Sequence, residues 1–442
     1  MKNQRKLVIL TVAILALSMI GNTLFKPIDT SLSNHNFSEA LKQLIATQSA
    51  KKPLYDAKNA ISLYLDKGML EHYAGDYKSS SESLQNAERL IEEAFTKSVS
   101  ENVASYVLND NTKEYPGEDF ENIYLNVFNA LNYIKQDDIE SALVEIRKLT
   151  MTGGKLDLLE SKYEEGNKKT EAPSRDDASK VNFSNSALAR YLSVLLFLED
   201  NDEDAVRIEL EQLNSAFSNQ PGIYGYAIPK AVENLTSFPA DQARLDILSF
   251  AGLGPIKEER VFKQRFSPQN PKPLQEGNFK LPVLIARANR IDRMEVKIND
   301  EVHEMGLLED MSAVIIDTFI ARFNNIFNKT YNRTMVKYIA LALTYNQAVQ
   351  SAKNPIAKKG AELALEAGKK TFDATEGADV RMSRYLPNKA FIGSVNLDPG
   401  TYKVTVNYFS GNSLVYSETR DNVEVKMNTL NLLQTVNLDL QM

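Results

Sequence analysis

Residues 115–150, YPGEDFENIYLNVFNALNYIKQDDIESALVEIRKLT, constrain this chain more than any other stretch. Apolar residues recur at Phe120, Tyr124, Val127, Phe128 and Leu131, the spacing of one helix face. After the polar turn 135–138 they resume at Ile139, Ala142, Leu143, Ile146 and Leu149. Two amphipathic helices joined by so few residues lie antiparallel and share one seam. Their flanks stay apolar, so the pair requires further helices beside it.

Those neighbours are readable as degenerate copies of the second helix. Phe37, Ala40 and Leu44, then Tyr77, Ser80, Leu84 and Ala87, then Ile139, Ala142, Ile146 and Leu149 follow one scheme. Each has an anchor at the turn, a small residue three on, and larger apolar residues beyond. A weaker fourth copy runs through Val206, Leu210 and Leu213. The small position lets a partner helix approach closely, as in the second helix of tetratricopeptide repeats. Equivalent positions 40, 62 and 64 residues apart (Ala40, Ser80, Ala142 and Val206) exclude a strict repeat of about 34 residues. What is left is repeat-like hairpins with insertions at 98–114 and 152–181.

Around these hairpins the chain reads as a connector at 27–32 and a short closing helix at 239–250. Ala251-Gly252-Leu253-Gly254-Pro255 then punctuates the sequence. Strands are expected at 258–266, 279–288 and 293–298, and an amphipathic helix at 311–328. Residues 334–348, apolar on nearly every face, predict a buried central helix, and 355–371 a lysine-rich one. Strands return at 391–397 and 402–408 around Asp398-Pro399-Gly400, then at 414–418, 422–427 and 432–440. The expected fold is α+β. A tetratricopeptide-like α-helical repeat domain at 28–250 precedes an α/β domain of mainly antiparallel strands at 251–442, with the helices of 311–371 covering those strands.

Charge supports that division. Residues 31–250 hold 36 Asp and Glu against 22 Lys and Arg, whereas 251–442 hold 21 against 25. The formal net charge of −7 offers nucleic acid no electrostatic footing. With no cysteine and three histidines, thiol chemistry is excluded and histidine chemistry nearly so. No cofactor is expected. At the N-terminus Lys2, Arg5 and Lys6 precede an apolar run from Leu7 to Gly21, extendable to Phe25. Residues 1–27 are therefore expected to be a cleaved secretory signal or a retained inner-membrane anchor acting through 7–25.

Candidate chemistry is sparse. Glu118 and Glu121 lie one helical turn apart, with Glu145 and Arg147 on the partner helix. They read either as paired carboxylates for acid–base work or as capping groups, one of them bridging to Arg147. His303-Glu304 lacks the second histidine of a zinc-protease motif, Leu307 standing in its place. The acidic run 199–204 lacks calcium-loop spacing. Tyr224-Gly225-Tyr226, on a Pro/Gly loop, is the best candidate for an exposed aromatic binding cluster.

Tyr115, Gly117, Glu118 and Glu121, together with Ala130-Leu131-Asn132-Tyr133, ALVEIR at 142–147, Leu386-Pro387 and LDPGTY at 397–402, resemble an uncharacterised family of bacterial envelope proteins. Its members combine tetratricopeptide-like helices with an α/β C-terminal region, and many are lipoproteins. The resemblance spans about residues 55–440 and implies architecture and location without an activity. The chain departs from the family in lacking a cysteine for a lipid anchor and in carrying Ser383 where an aromatic usually precedes the Leu-Pro. The expected function is a non-enzymatic scaffold, periplasmic or in the cell envelope, whose concave helical face receives a basic segment of another envelope protein. An envelope hydrolase using Glu118 and Glu121, or a binder of cell wall or lipid through the Lys358-Lys359 and Lys369-Lys370 pairs, are the alternatives.

Overall fold

The computed structural model describes residues 24–100, 114–161, 183–236, 239, 241–265 and 276–439. The expected signal or anchor lies almost wholly outside them, as do most of both insertions and residues 266–275. Among the described residues four antiparallel helical pairs come first. They are α1 (Lys26–Ser33) with α2 (Phe37–Gln48), α3 (Ala60–Tyr73) with α4 (Tyr77–Ser100), α5 (Asp119–Lys135) with α6 (Ile139–Thr150), and α7 (Ala187–Glu199) with α8 (Glu203–Asn219). The expected connector at 27–32 is helix α1. Pro27 fits its first turn, where no N–H is needed, and Ile28 and Leu32 are buried.

One turn geometry recurs in all four pairs. His35, Gly75, Asp137 and Asn201 adopt left-handed φ of 55°, 81°, 60° and 57°. The next residue, Asn36, Asp76, Asp138 or Asp202, accepts the N–H three positions on, at 3.2, 3.2, 3.0 and 3.0 Å. Its own N–H reaches back to the carbonyl five residues earlier, at 2.8, 3.0, 2.9 and 3.0 Å. Three residues thus satisfy the end of one helix and the start of the next. The small positions work as expected: Ala40, Ser80 and Ala142 are buried. Ser80 Oγ donates to the Gly68 carbonyl at 2.7 Å.

After the single turn α9 (Lys230–Glu233) comes β1 (Ala243–Leu253), where a helix at 239–250 was expected. Every residue of β1 is buried, so its apolar run lacked the alternation that marks a strand. The hairpin β2 (Ile256–Arg265) and β3 (Glu276–Ile285) follows, then β4 (Arg293–Ile298) and β5 (Glu301–Asp310). Helices α10 (Met311–Ser351) and α11 (Pro355–Thr375) intervene before β6 (Pro387–Leu397), β7 (Gly400–Ser410), β8 (Ser413–Val425) and β9 (Asn431–Asn437). Seven strands form one sheet in the order β8-β7-β4-β5-β6-β1-β9. All neighbours are antiparallel except β1 and β9.

Ile247, Met294, Met305, Phe391, Val406, Val425 and Leu433, one from each strand, meet in a core on one face. The sheet curls around them until its edges β8 and β9 meet, where the Glu418 carboxylate accepts the Val436 N–H at 3.3 Å. On the other face Leu248, Phe250, Leu308 and Ile392 join the core of the helical pairs, with the Phe128 and Phe250 rings 5.0 Å apart. Residue 250, the expected domain boundary, therefore falls inside a strand of which one face, Leu248, Phe250 and Leu253, belongs to the helical core. The layer covering the sheet is the N-terminal helices, not residues 311–371 as expected. Of α10, Met311, Val314 and Ile315 enter that core. Nor are residues 334–348 a buried central helix: between 335 and 351 only Tyr338 is fully buried. An apolar pattern on all faces carries no direction, and here one seam with α11 satisfies it.

Candidate functional site

The residues singled out at 115–121 and the stretch of Ser383 and Leu386-Pro387 meet in space. Gly117 takes φ +79°, and a Cβ there would lie 3.2 Å from Ile91 Cγ1, so the chain can turn into α5 beside α4 only through glycine. Four residues on, the buried Glu121 carboxylate accepts the Glu118 N–H at 2.7 Å, the Tyr115 hydroxyl at 2.6 Å and the Ser383 N–H at 2.5 Å. The first of these is the expected helix cap. The third ties α5 to a loop 262 residues away. Glu118 turns outward to ion pairs with Lys257 and Arg322.

A second buried carboxylate, Asp66 of α3, grips the same loop. It accepts the Arg384 N–H at 2.7 Å, the Ser383 hydroxyl at 2.8 Å, and the Tyr55 hydroxyl. Tyr73 adds a bond from its hydroxyl to the Tyr385 carbonyl at 2.7 Å. Arg384 lies over the Phe25 ring, 3.9 Å from its centre, and pairs with Asp29 at 3.3 Å. Burial, then the charge of Glu118, pushes Glu121 up to about 7 against the pull of its donors. Burial alone outweighs the donors at Asp66, raising it to about 6. The arrangement is a clamp: two helices hold residues 383–385 through two backbone N–H groups, the Ser383 hydroxyl and the Tyr385 carbonyl. Asp66 was not singled out in the sequence, although an aspartate inside the apolar run 61–70 of α3 was the available signal, and Ser383 was marked only as a departure from the family pattern.

The other candidates fall elsewhere. Glu145 accepts Asn126 Nδ2 at 2.6 Å and Lys148 at 3.1 Å. Beside it, burial pushes Glu88 up, but Lys155, Lys148 and Asn126 more than offset this and hold it at about 2. Arg147 does not bridge to Glu118 or Glu121; it pairs with Asp200 at 2.9 Å. Tyr224 and Tyr226 are not an exposed cluster. Tyr224 is buried with its hydroxyl on Glu309 at 2.8 Å, and the partly buried Tyr226 accepts the Asp310 N–H at 3.1 Å. Glu309, unmarked in the sequence, also accepts from Tyr124 at 2.5 Å, Ser186 at 3.0 Å and the Leu188 N–H at 2.9 Å. In the acidic run, Asp202 caps α8 and Glu199 accepts from Thr429 and the Leu430 N–H.

A cleft of about 370 Å³ opens where the turns of the first two helical pairs face β8 and β9. The left-handed turn at residue 35 presents the His35 ring flat against Tyr416, 4.1 Å between centres and 9° between planes. Tyr77, Glu418, Arg420 and Gln434 are among the other lining residues. His72 forms its inner wall, and a chain of bonds fixes its proton. Ser80 donates to the Gly68 carbonyl, Asn132 Nδ2 donates to Ser80 Oγ at 2.8 Å, and Asn132 Oδ1 must therefore accept from His72 Nδ1 at 2.6 Å. Nε2 is then bare and accepts from Gln434 at 2.6 Å. Burial lowers His72 to about 4, so the ring is a neutral, packed wall.

Among the described residues no group of three His, Asp or Glu could hold a metal ion. Nor, among them, is any helix long and apolar enough to cross a membrane. No protein-family model, curated protein or solved structure matches the chain.

Proposed function

We propose that this chain is a non-enzymatic scaffold of the bacterial cell envelope, built on tetratricopeptide-like helical pairs, that holds a segment of another envelope protein. One observation carries the reading. The carboxylates most suited to acid–base work, Asp66, Glu121 and Glu309, are each surrounded by tyrosine, serine and backbone donors of the chain itself. Groups so occupied position backbone and leave nothing to offer a substrate. The hollow that stacked helical pairs offer a peptide is filled by the chain's own sheet, which moves the receiving surface to the cleft at His35 and Tyr416. A stacked ring pair with Arg420 and Glu418 alongside suits a short segment carrying aromatic and charged side chains. The acidic balance of residues 31–250, 36 against 22, favours a basic partner. Export through residues 1–27 sets the meeting place in the periplasm or envelope, and retention of 7–25 would tether the scaffold to the inner membrane.

A photoreactive residue in place of Tyr416, in the full chain and in intact cells, is expected to trap one protein partner. The same probe at Val144, exposed on α6, should trap none. Adding Glu418→Lys, which sets a positive charge against a basic segment, should abolish the Tyr416 adduct. Adducts from both positions alike, or from neither, would overturn the reading.

A further inference from the structure

From Tyr338 outward, α10 and α11 pair through one seam, with Leu341, Ala342 and Tyr345 packed on Tyr338 and Leu365. Away from the seam Ile339, Leu343, Ile356 and Leu363 are 52, 59, 83 and 65% exposed. Singly exposed apolar residues are ordinary, but four large ones grouped on one hairpin mark a surface meant to be covered. Charge is sorted along the same hairpin. Between residues 318 and 361 there are seven Lys or Arg and no Asp or Glu. Arg322, Arg333 and Lys337 lie toward the body and pair with Glu118 and Glu376. Lys353, Lys358 and Lys359 are exposed at the far end, on either side of Ile356. The first acidic side chains of α11, Glu362 and Glu366, come about two turns back from that end.

We infer that the end of this hairpin docks on a membrane surface of anionic phospholipid. The three lysines meet lipid phosphates, while Ile356, with Leu343 and Leu363 behind it, enters the boundary between headgroups and acyl chains. A second copy of the chain fits less well, because tip-to-tip packing would set lysines against lysines. A basic protein segment, the partner proposed for the cleft, is repelled here for the same reason. The inference goes beyond the scaffold reading and stands without it.

The chain has no tryptophan, so Ile356→Trp in the full chain places a single indole at the tip. With vesicles of equimolar phosphatidylcholine and phosphatidylglycerol its emission is expected to move to the blue and to be quenched by brominated acyl chains. With phosphatidylcholine alone it should keep the emission of an indole in water. Adding Lys353→Gln, Lys358→Gln and Lys359→Gln should weaken partition onto the anionic vesicles roughly a hundredfold, with the melting temperature unchanged. No shift on anionic vesicles overturns the assignment, as does an equal shift on neutral ones. A shift that follows protein concentration without vesicles also overturns it, and makes the surface a contact between copies.

Discussion

Two helical hairpins of this chain, α5–α6 and α10–α11, carry comparable apolar content and meet opposite fates. Phe120, Tyr124, Phe128 and Leu131 of α5 are buried between α4, α6 and the sheet, whereas Ile339 and Leu343 of α10 face outward. The difference lies in the polar residues. Around α5, Glu88 is held by Lys155 and Asn126, Glu121 by Tyr115 and Ser383, and Glu145 by Asn126 and Lys148, so polar contacts beside the apolar ones fix orientation. The far half of α10–α11 offers lysines with no acid among residues 318–361. Apolar surface decides that a helix packs; the polar partners decide where.

The contrast can be broken first at Glu309. Glu309→Ala leaves the hydroxyls of Tyr124 and Ser186 and the Leu188 N–H without their acceptor, and Tyr224 with only the Asn185 carbonyl. The expected loss is about 4 kcal/mol in urea unfolding. A loss below about 1 kcal/mol would mean that the helix–sheet contact does not depend on that carboxylate.

Next comes acid. Because burial lowers His72 from 6.5 to about 4, the unfolded chain takes up a proton that the folded one refuses between those values. Its contribution is therefore complete above pH 6.5 and disappears as pH falls toward 4, a change of roughly 3 kcal/mol. The ring resonances of His72 should hold their neutral positions through pH 5; titration near 6.5 would contradict the bond chain that fixes its tautomer.

Smaller again is Gly117→Ala, which forces a Cβ into a left-handed turn beside Ile91 and should cost about 1–2 kcal/mol. At the bottom of the scale, Leu363→Ser on the projecting hairpin is expected to change stability by no more than about 0.5 kcal/mol. A larger loss would show that this face is covered within the folded chain.

The last three helical pairs were legible because each turn declares itself locally: Gly75-Asp76, Asp137-Asp138 and Asn201-Asp202 pair a residue tolerant of positive φ with a helix cap. The same turn stands at His35-Asn36, but α1, only eight residues long, reads as a connector. The hairpin of β7 with the strands beside it was legible through alternation at Tyr402, Val404, Val406 and Tyr408. Strand β1 was not, since burial on both faces erases that alternation. Strand β5 was hidden by its charged residues Glu301, Glu304, Glu309 and Asp310. At the candidate site, Tyr115, Gly117 and Glu121 were readable as a helix start, because capping depends on neighbours within four residues. Their hold on Ser383 was not, because nothing local records a partner 262 residues distant. Equally, Tyr224 suggested an exposed loop ring, and only its bond to Glu309 reveals why it is buried.

Amide hydrogen exchange on the full chain tests the central claim most directly, namely that the inner face of the helical layer is occupied by the chain's own sheet and loop while the far hairpin stands apart. The N–H groups of Ser383 and Arg384, and those of β1, should be among the slowest to exchange, and residues 340–365 among the fastest helical ones. Rapid exchange at Ser383 and Arg384, or protection of 340–365 equal to that of β1, would contradict it.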